Sequence, residues 1–303
     1  MLKFNRHPIF FFMALAALQG CSATGGDKKE YKNFNDYWRQ GKAELTSYKL
    51  EQARYGEMRQ GHAVAIFVTE DFSRSKQVKL DDPAKAGSDA VGVLKLNLTR
   101  KFNTGIYPYS LLQSVFTPLD DDRFPHTLKT TASVQEWCGQ TFTQLNFADT
   151  AFRVQIHSYF ESEGEQDYTL PASLLEDEIW TMIRLAPGRL PKGEITLIPG
   201  SVFARLMHRP IRPEKAMAEL LSGKDGLSTY TITYKDIDRT LSITFTSDFP
   251  YTIESWEETY MSGWGDKAGK LTTRAVKEKR MLLDYWNRNA NADAGLRREL
   301  GLD

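Results

Sequence analysis

The chain has 303 residues, 41% of them apolar, with 39 basic and 39 acidic side chains. That balance implies no basic face of the kind nucleic-acid binding requires, and the length is enough for one large core or two modest ones. Two cysteines, Cys21 and Cys138, are too few for a disulfide-stapled scaffold, so stability must come from packing.

Lys3, Arg6 and His7 form a basic start, and the apolar run from Ile9 to Leu18 is too short to cross a bilayer as a stable helix. This predicts a signal peptide over 1–20, the alternative being an uncleaved anchor or a buried first helix. Leu18-Gln19-Gly20-Cys21 resembles the lipobox of bacterial lipoproteins, in which the thiol is alkylated by diacylglycerol, the chain is cut ahead of it and the new amine is acylated, as with palmitate. By that resemblance Cys21 is the lipidation site and the membrane is the first partner; each buried methylene contributes about 0.8 kcal/mol to the anchor. Removing Lys3 and Arg6 from the 39 basic residues leaves 37 against 39 acidic, so the mature chain stays near neutral. Ser22 stands where an aspartate would retain some lipoproteins in the inner membrane. This points to the outer membrane of a Gram-negative envelope.

Residues 21–36 read as a lipidated N-terminus and flexible tether, with Gly25-Gly26 and Asp27-Lys28-Lys29-Glu30 too polar to pack. Residues 37–303 read as a single β-rich envelope domain, with two packed sheets as the alternative arrangement. A short helix is expected near Asn35 to Gly41. Beyond Ala43 the dominant period is two, which buries one face of a strand. Ala63 to Val68 is apolar on both faces and predicts a central strand. Leu94, Leu96 and Leu98 alternate with polar residues, as do Leu128 to Val134 and Phe152 to Phe160. Further on, Tyr230-Ile232-Tyr234 and Leu241-Ile243-Phe245 flank Lys235 to Arg239 as a hairpin. Phe249-Pro250 interrupts the ladder, and Ile253 and Trp256 resume it.

One mid-chain helix is expected. Ser173-Leu174-Leu175-Glu176 reads as a capping box, with Leu175, Ile179, Met182 and Ile183 at helical spacing and Pro187-Gly188 as the stop. Glu176, Asp177 and Glu178 in its first turn suit the helix dipole. A frayed C-terminal helix lies between Asp293 and Leu300. The fold class is therefore mainly β, with α+β as the alternative: a curved antiparallel sheet or partly open barrel.

Signals for chemistry are sparse. Cys138, between Trp137 and Gly139, reads as a small buried packing residue, or else as a nucleophile served by His126 or His157. Asp120-Asp121-Asp122 and the alternating Glu161, Glu163, Glu165 and Asp167 read as solvated turns, with a hard cation as the alternative. No metal and no other cofactor is called for. His157 and Glu161 share a strand face in this reading. Serine-hydrolase, zinc-peptidase, phosphate-loop and dithiol motifs are absent from the sequence. Tyr107, Tyr109, Phe116, Tyr159, Phe160, Tyr251, Trp256 and Tyr260 are spread over many strands, either as core or as the lining of an apolar ligand site on the concave side of the sheet.

Five segments carry a family resemblance: Tyr37-Trp38 through Ala43 to Glu57, Gly105 to Tyr109, Gln135 to Gln140, His157 to Gly164 and Phe249 to Glu254. In these the chain resembles a family of bacterial lipoproteins often labelled "septum formation inhibitor Maf". The label does not describe the chemistry here, because true Maf proteins resemble cytoplasmic nucleotide pyrophosphatases with an N-terminal Ser-Pro-Arg-Arg type phosphate site, and this sequence has none. The resemblance brings no activity and no site residue with it. Two functional readings follow. One is a non-enzymatic envelope lipoprotein that binds an apolar ligand or partner protein, similar in plan to curved-sheet carriers of the LolA/LolB kind. The other is an envelope hydrolase or transferase with a site near Cys138, His157 and Glu161.

Overall fold

The computed structural model describes residues 33–120 and 123–302. The signal peptide, Cys21, most of the tether, and Asp121 and Asp122 lie outside the described residues. A helix over 33–38 (α1) leads into β1 (Ala43–Arg54), β2 (Glu57–Ser73), a short helix α2 (Pro83–Ala86), β3 (Ala90–Thr104), β4 (Tyr107–Pro118), β5 (Lys129–Glu136), β6 (Gly139–Ala148), β7 (Ala151–Ser158) and β8 (Glu165–Pro171). Then come β9 (Leu174–Leu175), α3 (Glu176–Leu185), β10 (Gly193–Ile198), α4 (Ser201–Leu206), β11 (Glu214–Ser222), β12 (Leu227–Tyr234), β13 (Arg239–Thr246), β14 (Ile253–Ser262), β15 (Gly269–Leu283) and α5 (Gly295–Glu299).

All fifteen strands among the described residues belong to one sheet, in the order β8 to β1 followed by β15 to β9. Each half is a meander of antiparallel hairpins, and the halves join where β1 pairs with β15. The parallel pair is β9 with β10, because the segment between them crosses over as α3. The mainly β, curved, open-sheet class expected from the alternation is what the chain forms.

The alternation translates directly into burial. Leu94, Leu96 and Leu98 are buried, as are Leu128, Ala132, Val134, Phe152, Val154 and Ile156. Ala63 to Val68 lies on β2, flanked by β1 and β3 and covered on both faces. Ala63, Ala65 and Phe67 join the main core, whereas Val64 and Val68 pack with Ala43, Leu45 and Leu300 under the C-terminal segment. The hairpin of β12 and β13 closes at Tyr234 and Arg239 with Asp238 in the left-handed region. β7 ends at Ser158, so Phe160 and Glu161 lie in the turn that follows rather than on the strand.

α3 lies on the concave side of the sheet, burying Ile179, Trp180 and Ile183 in the main core. Its start is displaced from the expected capping box. Leu175 is the N-cap, and Glu178 reaches back to the Leu175 amide at 2.9 Å, because Leu174 and Leu175 are committed to pairing with β10. A second helix, α4, joins α3 and brings Ala204 against Leu145, Phe152, Val154 and Ile156 of β6 and β7. Ile198 of β10 sits in the same cluster, so the two flanks of the sheet meet through side chains across the interior. The concave side is therefore filled by helices and is not an open ligand chamber.

Candidate functional site

The helix that fills the sheet carries three consecutive acids at its start, and Glu176, Asp177 and Glu178 are all buried. Sequence spacing places them in the first turn of the helix, and partners from elsewhere in the chain bury them. Glu176 is clamped by Arg239, with Nη2 to Oε1 at 2.6 Å, and accepts a hydrogen bond from the Tyr234 hydroxyl at 2.7 Å. Arg239 Nε also donates to Glu258 at 2.9 Å, and its guanidinium covers the Phe203 ring. Asp177 accepts from the hydroxyl of Ser201 at 2.5 Å and from its amide at 3.1 Å, while burial pushes its carboxyl up to about 6. Burial raises Glu178 as well, with its oxygens held by the amides of Leu175 and Thr127. At the other end of α3, Arg184 pairs with Glu44. The cavity beside Glu176, Asp177 and Arg239 measures only about 10 Å³, so these ions meet protein partners and no ligand-sized space. They fasten the helix inside the sheet.

A ligand-sized space opens at the end of the sheet where β1 begins. A cleft of about 960 Å³ lies between α1, the connection from β4 to β5 and the outer half of α3. Phe34, Leu119, Phe124, Met182 and Leu185 form its walls. Thr117, Thr127, His126 and Glu178 form a polar floor, with Arg39, Asp120 and Arg189 at the rim. The floor is internally satisfied: the Thr117 hydroxyl lies 2.7 Å from that of Thr127 and 2.6 Å from that of Thr181, and Thr181 donates to the Glu178 carbonyl. His126 packs on Phe147, and burial lowers the pKa of its imidazole from the ordinary value. Apolar walls with a few convergent polar groups describe a small-molecule site, and the volume lies at the upper end for one.

No family profile, curated protein or solved structure matches the chain.

The residues singled out from sequence for catalysis do not assemble. Cys138 is an exposed residue of the two-residue turn between β5 and β6, not a packed one. Glu136 pairs with Gly139 and leaves Trp137 and Cys138 at the tip. Its amide donates to Glu136 Oε2 at 2.8 Å, and hydrogen bonding to that carboxylate pushes the thiol pKa up, opposite to what a nucleophile needs. His157 faces Glu165 across β7 and β8 at 3.5 Å. Glu161 is exposed in the next turn, and no hydrogen bond or ion pair joins any two of Cys138, His157 and Glu161. Of the acidic alternation, Glu163 is paired with Arg205 at 2.7 Å and His208 at 2.6 Å, and Asp167 with Arg153. Among the described residues no three His, Cys, Asp or Glu side chains gather as a metal site.

The opposite end of the sheet presents a rim of rings. Trp137 and Tyr107 lie 6.5 Å apart, Tyr55 and Trp264 5.5 Å, and Tyr159 and Phe160 4.7 Å, with His208 linking Phe160 to Trp264. Within it Arg54, itself buried, donates to the Leu206 carbonyl at 2.5 Å and to the hydroxyls of Tyr55 and Tyr109. Of the aromatics considered from sequence, Tyr109, Trp256 and Tyr260 are core, Tyr107 and Phe160 are half-buried, and Tyr159 is exposed. None of the residues that wall the cleft was picked out as a binding residue. The available signal was Phe124-Pro125-His126, an apolar insert in an otherwise charged connection.

Proposed function

We propose that the protein is a non-enzymatic envelope lipoprotein, anchored through acyl chains on Cys21, that holds the apolar portion of an amphiphile in the cleft between α1, α3 and the β4–β5 connection. The cleft itself carries this reading: about 960 Å³ of space walled by Phe34, Leu119, Phe124, Met182 and Leu185, with Arg39 and Arg189 among its polar lining residues. Phe34 and Arg39, in and just after α1, line the cleft, which supports a reading in which the tether to Cys21 joins the domain beside it. A tether there keeps the mouth close to a lipid surface, from which an acyl chain can enter without crossing water. Ser22, in place of a retention aspartate, supports an anchor in the outer membrane of a Gram-negative cell.

A titration of the full chain with the fluorescent fatty acid cis-parinaric acid tests this. The expected result is saturable binding that is lost in Leu119→Asp and weakened in Phe34→Ala, both with native circular dichroism. No saturable binding to the native protein, or binding unchanged in both variants, overturns the proposal.

A further inference from the structure

Four separate turns at the end remote from the cleft each raise a large apolar side chain into solvent. Ile106 is 82% exposed, Trp137 67%, Trp264 58% and Tyr159 56%. They sit between β3 and β4, β5 and β6, β14 and β15, and β7 and β8. Antiparallel pairing carries all four turns to one end of the sheet. The rings are set in place rather than loose: Tyr159 lies so close over Gly139 that a Cβ there would come within 2.7 Å of its ring. A contiguous group of exposed rings on a soluble surface marks a contact site.

Two features restrict what the contact can be. The cavity inside the rim, between Arg54 and Arg205, is about 20 Å³, so no side chain or acyl chain inserts and a partner must lie across the tips. Each exposed ring also has a carboxylate within two residues: Glu136 before Trp137, Glu161 after Tyr159 and Asp266 after Trp264. Sinking these tips into a bilayer would strip water from three carboxylates. A pyranose chain meets both demands, because its C–H faces pack on aromatic faces while its hydroxyl edges donate to carboxylates.

We propose that this rim binds a neutral polysaccharide strand, laid across Trp137, Tyr159 and Trp264 with Glu136, Glu161 and Asp266 accepting its hydroxyls. The site is independent of the cleft. Intrinsic tryptophan fluorescence of the full chain, titrated separately with chitohexaose, cellohexaose and maltohexaose, reads it out. The expected result is saturable binding of at least one hexasaccharide, weakened about tenfold or more by Trp137→Ala and by Trp264→Ala. Both side chains are exposed, so the thermal midpoint should not move, and Phe34→Ala in the cleft should leave this affinity unchanged. Absence of saturable binding to all three sugars overturns the proposal, as does binding insensitive to both tryptophan variants. Sedimentation with phosphatidylethanolamine and phosphatidylglycerol vesicles that the same two variants abolish overturns it in favour of a lipid surface.

Discussion

Arg184, on the inward face of α3, forks both terminal nitrogens onto the carboxylate of Glu44 at the start of β1, at 2.6 and 2.8 Å, 140 residues away in the chain. Neither side chain reaches solvent. The Tyr37 hydroxyl donates to the same carboxylate, and the guanidinium lies over the rings of Trp38 and Phe67. The attraction of Arg184 holds the Glu44 carboxyl below its ordinary pKa despite burial.

Removing one partner strands the other charge in the core. Glu44→Ala should therefore lower stability by about 3 to 5 kcal/mol, whereas the apolar double variant Glu44→Leu/Arg184→Met should lose much less. Urea melts of the two singles and the double give the coupling directly. Equal losses in all three would show that the pair does not act as a unit.

Asp177 makes stability fall as the pH rises. Burial lifts its folded pKa to about 6, above the ordinary value of about 3.9, so the folded state holds its proton more tightly than the unfolded chain does. Its contribution is full below about pH 4 and is lost through about pH 6, a change of about 3 kcal/mol. The difference in unfolding free energy between the native protein and Asp177→Asn, followed from pH 3.5 to 7.5, should show that slope. A flat difference would place the carboxylate in a better-compensated site.

Strand register is testable at adjacent residues. Ile156 is buried against Leu145, Phe152 and Val154, while Gln155 points outward near Asp167. Ile156→Asp should cost several kcal/mol and Gln155→Thr about 0.5 kcal/mol or less. Equal losses in urea would mean a slipped register.

Gly56 closes the turn between β1 and β2 at φ +76°, with its Cα facing the carbonyl of Lys267 in the neighbouring turn. A Cβ there would sit 2.0 Å from that oxygen, so Gly56→Ala should cost about 2 to 4 kcal/mol through strain and clash together. Gly105→Ala, also at positive φ but with open space around it, should cost only the strain. Thermal melts of the two variants separate the contributions.

Cys138 should react stoichiometrically with a thiol reagent in the native state, and Cys138→Ala should leave the urea midpoint where it is. Glu136 raises the thiol pKa, so labelling near pH 8 should accelerate in Glu136→Gln. A thiol that reacts only on unfolding would contradict its place at the turn.

Elements with one buried face were legible in the sequence because burial writes itself as local alternation, as in Leu94-Leu96-Leu98 and Phe152-Val154-Ile156. The apolar spacing of Ile179 and Ile183 likewise marked α3. What local pattern does not encode is which distant residue meets a polar one. The burial of Glu176, Asp177 and Glu178 was not legible because their partners, Tyr234, Arg239, Ser201 and the Thr127 amide, come from elsewhere in the chain. Cys138 read as a buried packing residue because a two-residue turn leaves almost no polar signature. The cleft was hidden for the same reason as the ion pairs: Phe34, Leu119 and Met182 become neighbours only after the sheet has curled around α3.

The pairing of β1 with β15 also dictates an order of assembly. The first of the described strands waits for the last one before its second edge is covered, so a chain still being made holds β1 as a bare template of unpaired amides and carbonyls. Loss of β15 would not trim the sheet at its margin; it would split it at the seam, leaving two half-sheets with raw edges competing for any strand nearby. For such a chain, a late stop codon is an aggregation lesion, and a chaperone that shields the leading hairpin has the most to protect.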